Sequence, residues 1–95
     1  MSDLFDFGDG NGLVPAHKHC NSGGWVADTA YVAETASVGP DALVYGNAVV
    51  SGYAKVYDNA RVFGNTKVYG NAVVCGDAEV YGNAVVYGDM EVKDE

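Results

Sequence analysis

Few side chains in this sequence are equipped for chemistry. The only histidines are His17 and His19, and the cysteines are Cys20 and Cys75. His17, His19 and Cys20 put three soft ligands within four residues, a set that zinc accepts. The spacing is unspecific and no fourth ligand is evident, so ordinary histidines in a structural cap are expected. A general base needs a positioned neighbour, and nothing in the sequence aims a carboxylate at either histidine. Asp6, Asp9 and Asn11, in Asp-Phe-Gly-Asp-Gly-Asn-Gly, faintly suggest a calcium loop. Such a loop needs ligands at alternate residues and a closing carboxylate at its twelfth position, and neither is met. Gly8, Gly10 and Gly12 follow no strand and precede no lysine, which argues against a phosphate loop. The stretch from Met1 to Phe7 holds Asp3 and Asp6 and no basic residue, unlike a secretory signal. Two reduced thiols in a cytoplasm are therefore expected.

The elements that must position these residues are set by an internal repeat. Valine recurs every six residues from Val26 to Val92, twelve times without a slip. Four residues after each valine stands a small residue, Ala30, Ala36 and so on to Ala84, with Thr66 as one exception and Met90 as the last. The two positions between are turn formers, such as Gly46-Asn47, Asp58-Asn59 and Gly64-Asn65. A period of six matches no helical stripe. It matches a short strand and a turn, with the valine and small residue facing inward and their neighbours outward.

The motif Val-x-Gly-Asn-Ala-x, as in Val44 to Val49, Val68 to Val73 and Val80 to Val85, resembles the hexapeptide repeat of left-handed parallel β-helices. The resemblance covers Val26 to Val92, eleven hexads and about two-thirds of the chain. It implies an all-β fold, a left-handed parallel β-helix forming a triangular solenoid of about 3.7 coils, roughly 18 Å tall at a strand spacing near 4.8 Å. Residues 25–95 would form this solenoid, and the Gly-rich, non-repetitive residues 1–24 an irregular N-terminal cap over the first coil. Stacking buries valines that one coil alone leaves exposed. Asn47, Asn65 and Asn83 would stack at one corner as an amide ladder. The charges of Lys93, Asp94 and Glu95 would protect an open edge.

Many proteins similar to this class are acyltransferases, with a histidine near a subunit interface and an inserted loop around the acyl donor. Here both histidines precede the repeat and no insertion interrupts it. The γ-class carbonic anhydrases also resemble this fold. They hold zinc with three histidines across a trimer interface, which two histidines outside the coils do not reproduce. β-Helical antifreeze proteins carry outward Thr-x-Thr pairs, whereas the outward pairs here are Leu43/Tyr45, Arg61/Phe63 and Glu79/Tyr81.

The surface is more informative. Thirteen acids against five bases give a net charge of −8, which argues against direct binding to nucleic acid or an anionic membrane. No apolar run approaches the roughly 20 residues that span a bilayer. A chain this short buries only about 60–65% of its unfolded surface and is marginal alone. Two outward faces are strongly apolar. One carries Trp25, Leu43, Tyr45, Phe63 and Tyr81. The other carries Val49, Tyr69, Val85 and Tyr87. Such patches mark association, and two different faces suit a closed ring, so a homotrimer is expected ahead of a dimer. Asp28, Glu34, Asp41, Asp58, Asp77 and Asp89 lie at the corners. An acidic prism of near-duplex width would suit a basic, nucleic-acid-binding protein as partner. Small phage-encoded inhibitors of host defence, anti-CRISPR proteins among them, share this size and charge. The charge also serves simple solubility. The expectation is a non-catalytic, cofactor-free, oligomeric binding module, inhibitor or assembly scaffold without a metal site. The alternatives are an acyltransferase-like enzyme and an oligomer that sequesters a small molecule between subunits near Tyr side chains and Arg61.

Overall fold

A computed structural model describes residues 3–8, 10, 12–20 and 23–94. In chain order the strands are β1 (Asp3–Asp6), β2 (Leu13–Lys18), β3 (Trp25–Ala27), β4 (Tyr31–Val32), β5 (Ser37–Val38), β6 (Leu43–Val44) and β7 (Val49–Val50). They continue as β8 (Lys55–Val56), β9 (Arg61–Val62), β10 (Lys67–Val68), β11 (Val73–Gly76), β12 (Glu79–Val80), β13 (Val85–Val86) and β14 (Glu91–Asp94). From β3 onward each strand pairs in parallel with the strand 18 residues later, as Val26 with Val44 and Val44 with Val62. Three sheets result. The first runs β1-β2-β3-β6-β9-β12, the second β13-β10-β7-β4 and the third β14-β11-β8-β5. The chain is thus an all-β parallel solenoid of about four turns.

Its core is the repeat itself. The repeat valines are buried from Val26 to Val86, except that Val32 in the first coil is half-buried, as is Val92 in the last. Alanines fill the rest of the interior. Each coil hangs on the next by backbone bonds: Tyr31 N–H donates to the Ala48 carbonyl at 2.9 Å, and Val49 N–H to the Thr66 carbonyl at 2.9 Å.

The corners explain the turn residues. The first turn residue takes positive φ in the lower coils, and it is glycine throughout except for Asp58 at φ 59°. The second donates its backbone N–H to the carbonyl one coil below, as Asn47 does to Gly64 and Asn65 to Gly82. Asn47, Asn65 and Asn83 share a corner, but this backbone ladder joins them; no side-chain amide ladder forms, which corrects the expectation. The first coil has no glycine turns. There the hydroxyls of Thr29 and Thr35 donate to the carbonyls of Gly46 and Gly52 instead. Thr66 makes a similar substitution inside the core, where its buried hydroxyl donates to the Phe63 carbonyl at 2.7 Å. Thr66→Val should therefore cost about 1–2 kcal/mol, because a similar shape leaves that carbonyl without its partner. Urea denaturation of the two proteins checks this, and equal midpoints would count against it.

The N-terminal segment differs from the expected irregular cap. β1 and β2 form an antiparallel hairpin, Leu4 opposite Pro15 and Phe5 opposite Val14. β2 then pairs antiparallel with β3, Ala16 opposite Ala27. The hairpin thus extends the first sheet. His19 and Gly24 lie against the third sheet, where Gly24 N–H donates to the Val38 carbonyl at 2.8 Å.

Candidate functional site

The first apolar face is a column of rings. Tyr45, Phe63 and Tyr81 follow one another at 18-residue spacing, and a parallel solenoid stacks such residues directly. Tyr45 and Phe63 have ring centroids 4.9 Å apart at 4°, and Phe63 and Tyr81 5.4 Å apart at 12°. The next position up the column is Ala27, which has no ring. Phe7 from the hairpin fills the gap, 5.0 Å from Tyr45, and is only 2% exposed. Phe5 stacks on Trp25 at 4.7 Å and edges Phe7 at 4.7 Å. Lys18 adds its ammonium over the Trp25 ring.

This arrangement corrects one expectation. Trp25, Leu43, Tyr45 and Phe63 are not a bare face awaiting a second copy. Tyr45 is 5% exposed, and Trp25, Leu43 and Phe63 are half-buried beside Phe5, Phe7 and Val14 of the same chain. Of the five residues on that face, only Tyr81 is well exposed.

The second sheet is different. Its outward residues run Tyr31, Val49, Lys67 and Val85 in one column, and Ala33, Ser51, Tyr69 and Tyr87 in the next. Tyr69 and Tyr87 stack at 5.7 Å. Tyr31, Tyr69, Val85 and Tyr87 are all exposed, Tyr87 by 49%. These outward positions include no carboxylate; the one charge among them is Lys67. Tyr53, at the neighbouring corner, is also exposed and widens the patch.

The acidic residues do not share one surface. Asp41, Asp58 and Asp77 lie along the corner between the third and first sheets. There Asn59 donates to Asp77 at 3.4 Å and the Gly76 N–H to Asp58 at 3.2 Å. Glu34 and Asp89 sit at opposite ends of a second corner, and Asp28 sits on the third. The cause is the 18-residue register, which separates acids that a linear reading groups together. On the third sheet Cys75 is buried beneath Tyr57. The Cys75 sulfur, by hydrogen bonding and charge, holds the Tyr57 phenol above its usual range, with burial, Glu91 and Asp58 adding smaller pushes. The phenol is therefore protonated at neutral pH, not a ready nucleophile.

The histidines have partners that the sequence did not reveal. His17 Nδ1 lies 2.8 Å from Asp28 Oδ1, both partly exposed. A carboxylate is aimed at this histidine after all, because antiparallel pairing of β2 with β3 sets His17 opposite Val26, and Asp28, two residues on, lies diagonally across from it. His19 is buried, with Nε2 2.8 Å from the Ala36 carbonyl. A carbonyl only accepts, so Nε2 carries the proton. The two imidazoles thus serve different partners, and His17, His19 and Cys20 do not converge as ligands. Among the described residues no three His, Cys, Asp or Glu groups come together to hold a metal. Asp6 accepts from the Gly8 N–H at 2.8 Å, while Asp9 and Asn11 lie outside the described residues.

Comparison with known proteins agrees at the level of architecture. The YdcK β-solenoid repeat family model matches residues 54–66, a stretch running from Ala54 through β8 and β9 to Thr66. No curated protein and no solved structure matches the chain.

Proposed function

We propose that this chain is a non-catalytic binding and assembly module that works through the outer face of its second sheet. Its repeat is of the left-handed hexapeptide kind, a reading supported by the six-residue valine spacing and the Gly-Asn turns. One observation carries the functional reading. Tyr31, Tyr69, Val85 and Tyr87 form an exposed patch on the sheet face that carries no carboxylate, in a molecule of net charge −8. Two copies meet there without opposing negative charges, and Lys67 of one lies within reach of tyrosine rings of the other, a favourable cation–π pairing. The first face is largely filled by the chain's own hairpin. That removes one of the two complementary surfaces a ring of three requires, while one self-complementary face suits a two-fold dimer. The corner of Asp41, Asp58 and Asp77 is then left for a basic protein partner, an inhibitor-like role that high salt would weaken.

Light scattering should give twice the 9.9 kDa chain mass at hundreds of micromolar, and Tyr87→Glu should return it to 9.9 kDa. A wild type that remains at 9.9 kDa, or a Tyr87→Glu variant that remains a dimer, overturns the reading. A threefold mass restores the trimer. The His17–Asp28 contact favours a second reading, in which Asp28 orients His17 as a general base. Acyl transfer from acyl-CoA that disappears in His17→Ala would move the conclusion there.

A further inference from the structure

We propose that the free edge of β12 is a strand-addition site for an extended segment of a basic partner, in the order cation, branched apolar residue, aromatic ring. β12 ends the first sheet, and among the described residues no strand pairs with its far side. In each coil the outward residues bond to the coil below. Leu43 and Tyr45 donate to the carbonyls of Ala60 and Val62, and Arg61 and Phe63 to those of Ala78 and Val80. By the same register the N–H groups of Glu79 and Tyr81 face the free side, and such an edge is a template for another strand. There is room for one. Tyr81 is 60% exposed, and a Cβ at Gly82 would meet nothing within 4 Å. A cleft of about 550 Å³ lies alongside, lined by Asp77, Ala78, Glu79, Tyr81, Val92 and Lys93.

The chain itself shows what fits. On the paired side of β12, Arg61 lies opposite Glu79, Val62 opposite Val80, and Phe63 stacks on Tyr81 at 5.4 Å. Phe63 covers one face of the Tyr81 ring, and among the described residues no ring covers the other. A strand added below in the same register sets a cation under Glu79, a branched apolar side chain under Val80 and a ring under Tyr81. Two residues earlier, a second cation meets Asp77, which is exposed and whose one contact among the described residues is the 3.4 Å bond from Asn59. Charge decides between occupants. This end carries Asp77, Glu79 and Glu91 against Lys93, so the same end of a second copy is repelled. The opposite edge strand of the first sheet, β1, would bring Asp3 and Asp6. A basic segment is attracted. The acids thus guard the edge against copies of this chain while leaving it accessible to cations.

The inference deepens the reading of a basic partner at the corner of Asp41, Asp58 and Asp77 and rests on it; the second-sheet dimer is a separate matter. The test is an amide-resolved NMR titration of the full chain with the acetylated and amidated peptide Lys-Ala-Arg-Val-Phe-Gly-Asn, which after its lysine repeats Ala60 to Asn65. At millimolar peptide it should shift the amides of Glu79 and Tyr81 and slow their hydrogen exchange. Proline in place of its valine keeps the charge but removes an N–H that the ladder needs, and should weaken binding about tenfold, the effect of one unmade hydrogen bond. Glutamates in place of its lysine and arginine should abolish binding. Tyr81→Ser should weaken the valine peptide about two- to tenfold, the range of one aromatic pair. Equal binding of the valine and proline peptides would overturn strand addition and leave charge-directed binding at the corner standing. If neither peptide shifts any amide around Asp58, Asp77 and β12, both readings fall. Shifts that miss β12, or affinity unchanged in Tyr81→Ser, would also overturn the inference.

Discussion

Gly64→Ala is expected to destabilise the chain by about 2–5 kcal/mol, against about 1–2 kcal/mol for Gly82→Ala. Both glycines sit at the same corner in nearly the same conformation, φ +76° and +72°. Both substitutions therefore carry the left-handed penalty that an L side chain meets. They differ in what lies below. A Cβ at Gly64 would stand 2.9 Å from the Gly82 nitrogen and 3.1 Å from its oxygen, while one at Gly82 has nothing within 4 Å. At Gly64 the obstacle is backbone, which moves only if the coils separate. That separation strains the bond from Asn65 N–H to the Gly82 carbonyl, 2.8 Å long in the native chain. In a domain of this size each kcal/mol moves the melting temperature by about 4–8 °C, so thermal unfolding resolves the pair easily. Equal losses would show that conformation alone, not coil spacing, demands glycine here.

The same corner shows what was legible beforehand. The six-residue valine spacing gave the short strands of the solenoid and their inward set, and the resemblance to hexapeptide repeats implied the parallel stacking. Repetition made every coil a check on the others. The non-repetitive segment offered no such check. Phe5, Phe7 and Val14 alternate as a hairpin's inner face requires, but the Gly-rich stretch around them reads as loop. The signal that would have found Phe7 was a gap in a column: Tyr45, Phe63 and Tyr81 are rings, and Ala27, one step up, is not. An alanine heading a column of rings asks for a ring from elsewhere. His17 and Asp28 were missed for a related reason, since antiparallel pairing of β2 with β3 has no periodicity to announce it. For the acidic residues the corner positions were legible, but not their grouping. Their number was clear, but only the 18-residue register shows that Asp41, Asp58 and Asp77 share a corner while Asp28, Glu34 and Asp89 stand apart.

Phe7→Ala should release the hairpin from the solenoid while leaving the coils intact. Removing a buried phenylalanine costs about 3–5 kcal/mol, and Phe7 is 2% exposed between Phe5 and Tyr45. The hairpin's other side-chain ties lie nearer its edge, the Phe5 stack on Trp25 and the partly exposed His17–Asp28 contact. Its sheet contact is three residue pairs, Ala16 with Ala27, His17 with Val26 and Lys18 with Trp25. The solenoid below is stabilised by its own valines and backbone ladder, to which Phe7 contributes nothing. The loss is therefore local. Hydrogen exchange should accelerate about a hundredfold at amides that bond across this junction, such as Asp28 N–H to the Pro15 carbonyl, if about 3 kcal/mol of local stability is lost. Amides between lower coils, such as Phe63 N–H to the Val80 carbonyl, should exchange as before. Leu4→Ala, on the exposed side of the same hairpin, is the control and should change little. The released face bares Tyr45, Trp25 and Leu43, and an apolar dye should then bind. Unchanged exchange at Asp28 would mean that strand pairing alone holds the hairpin and that Phe7 merely rests on the column. Uniform acceleration through all four turns would mean that hairpin and solenoid unfold as one unit.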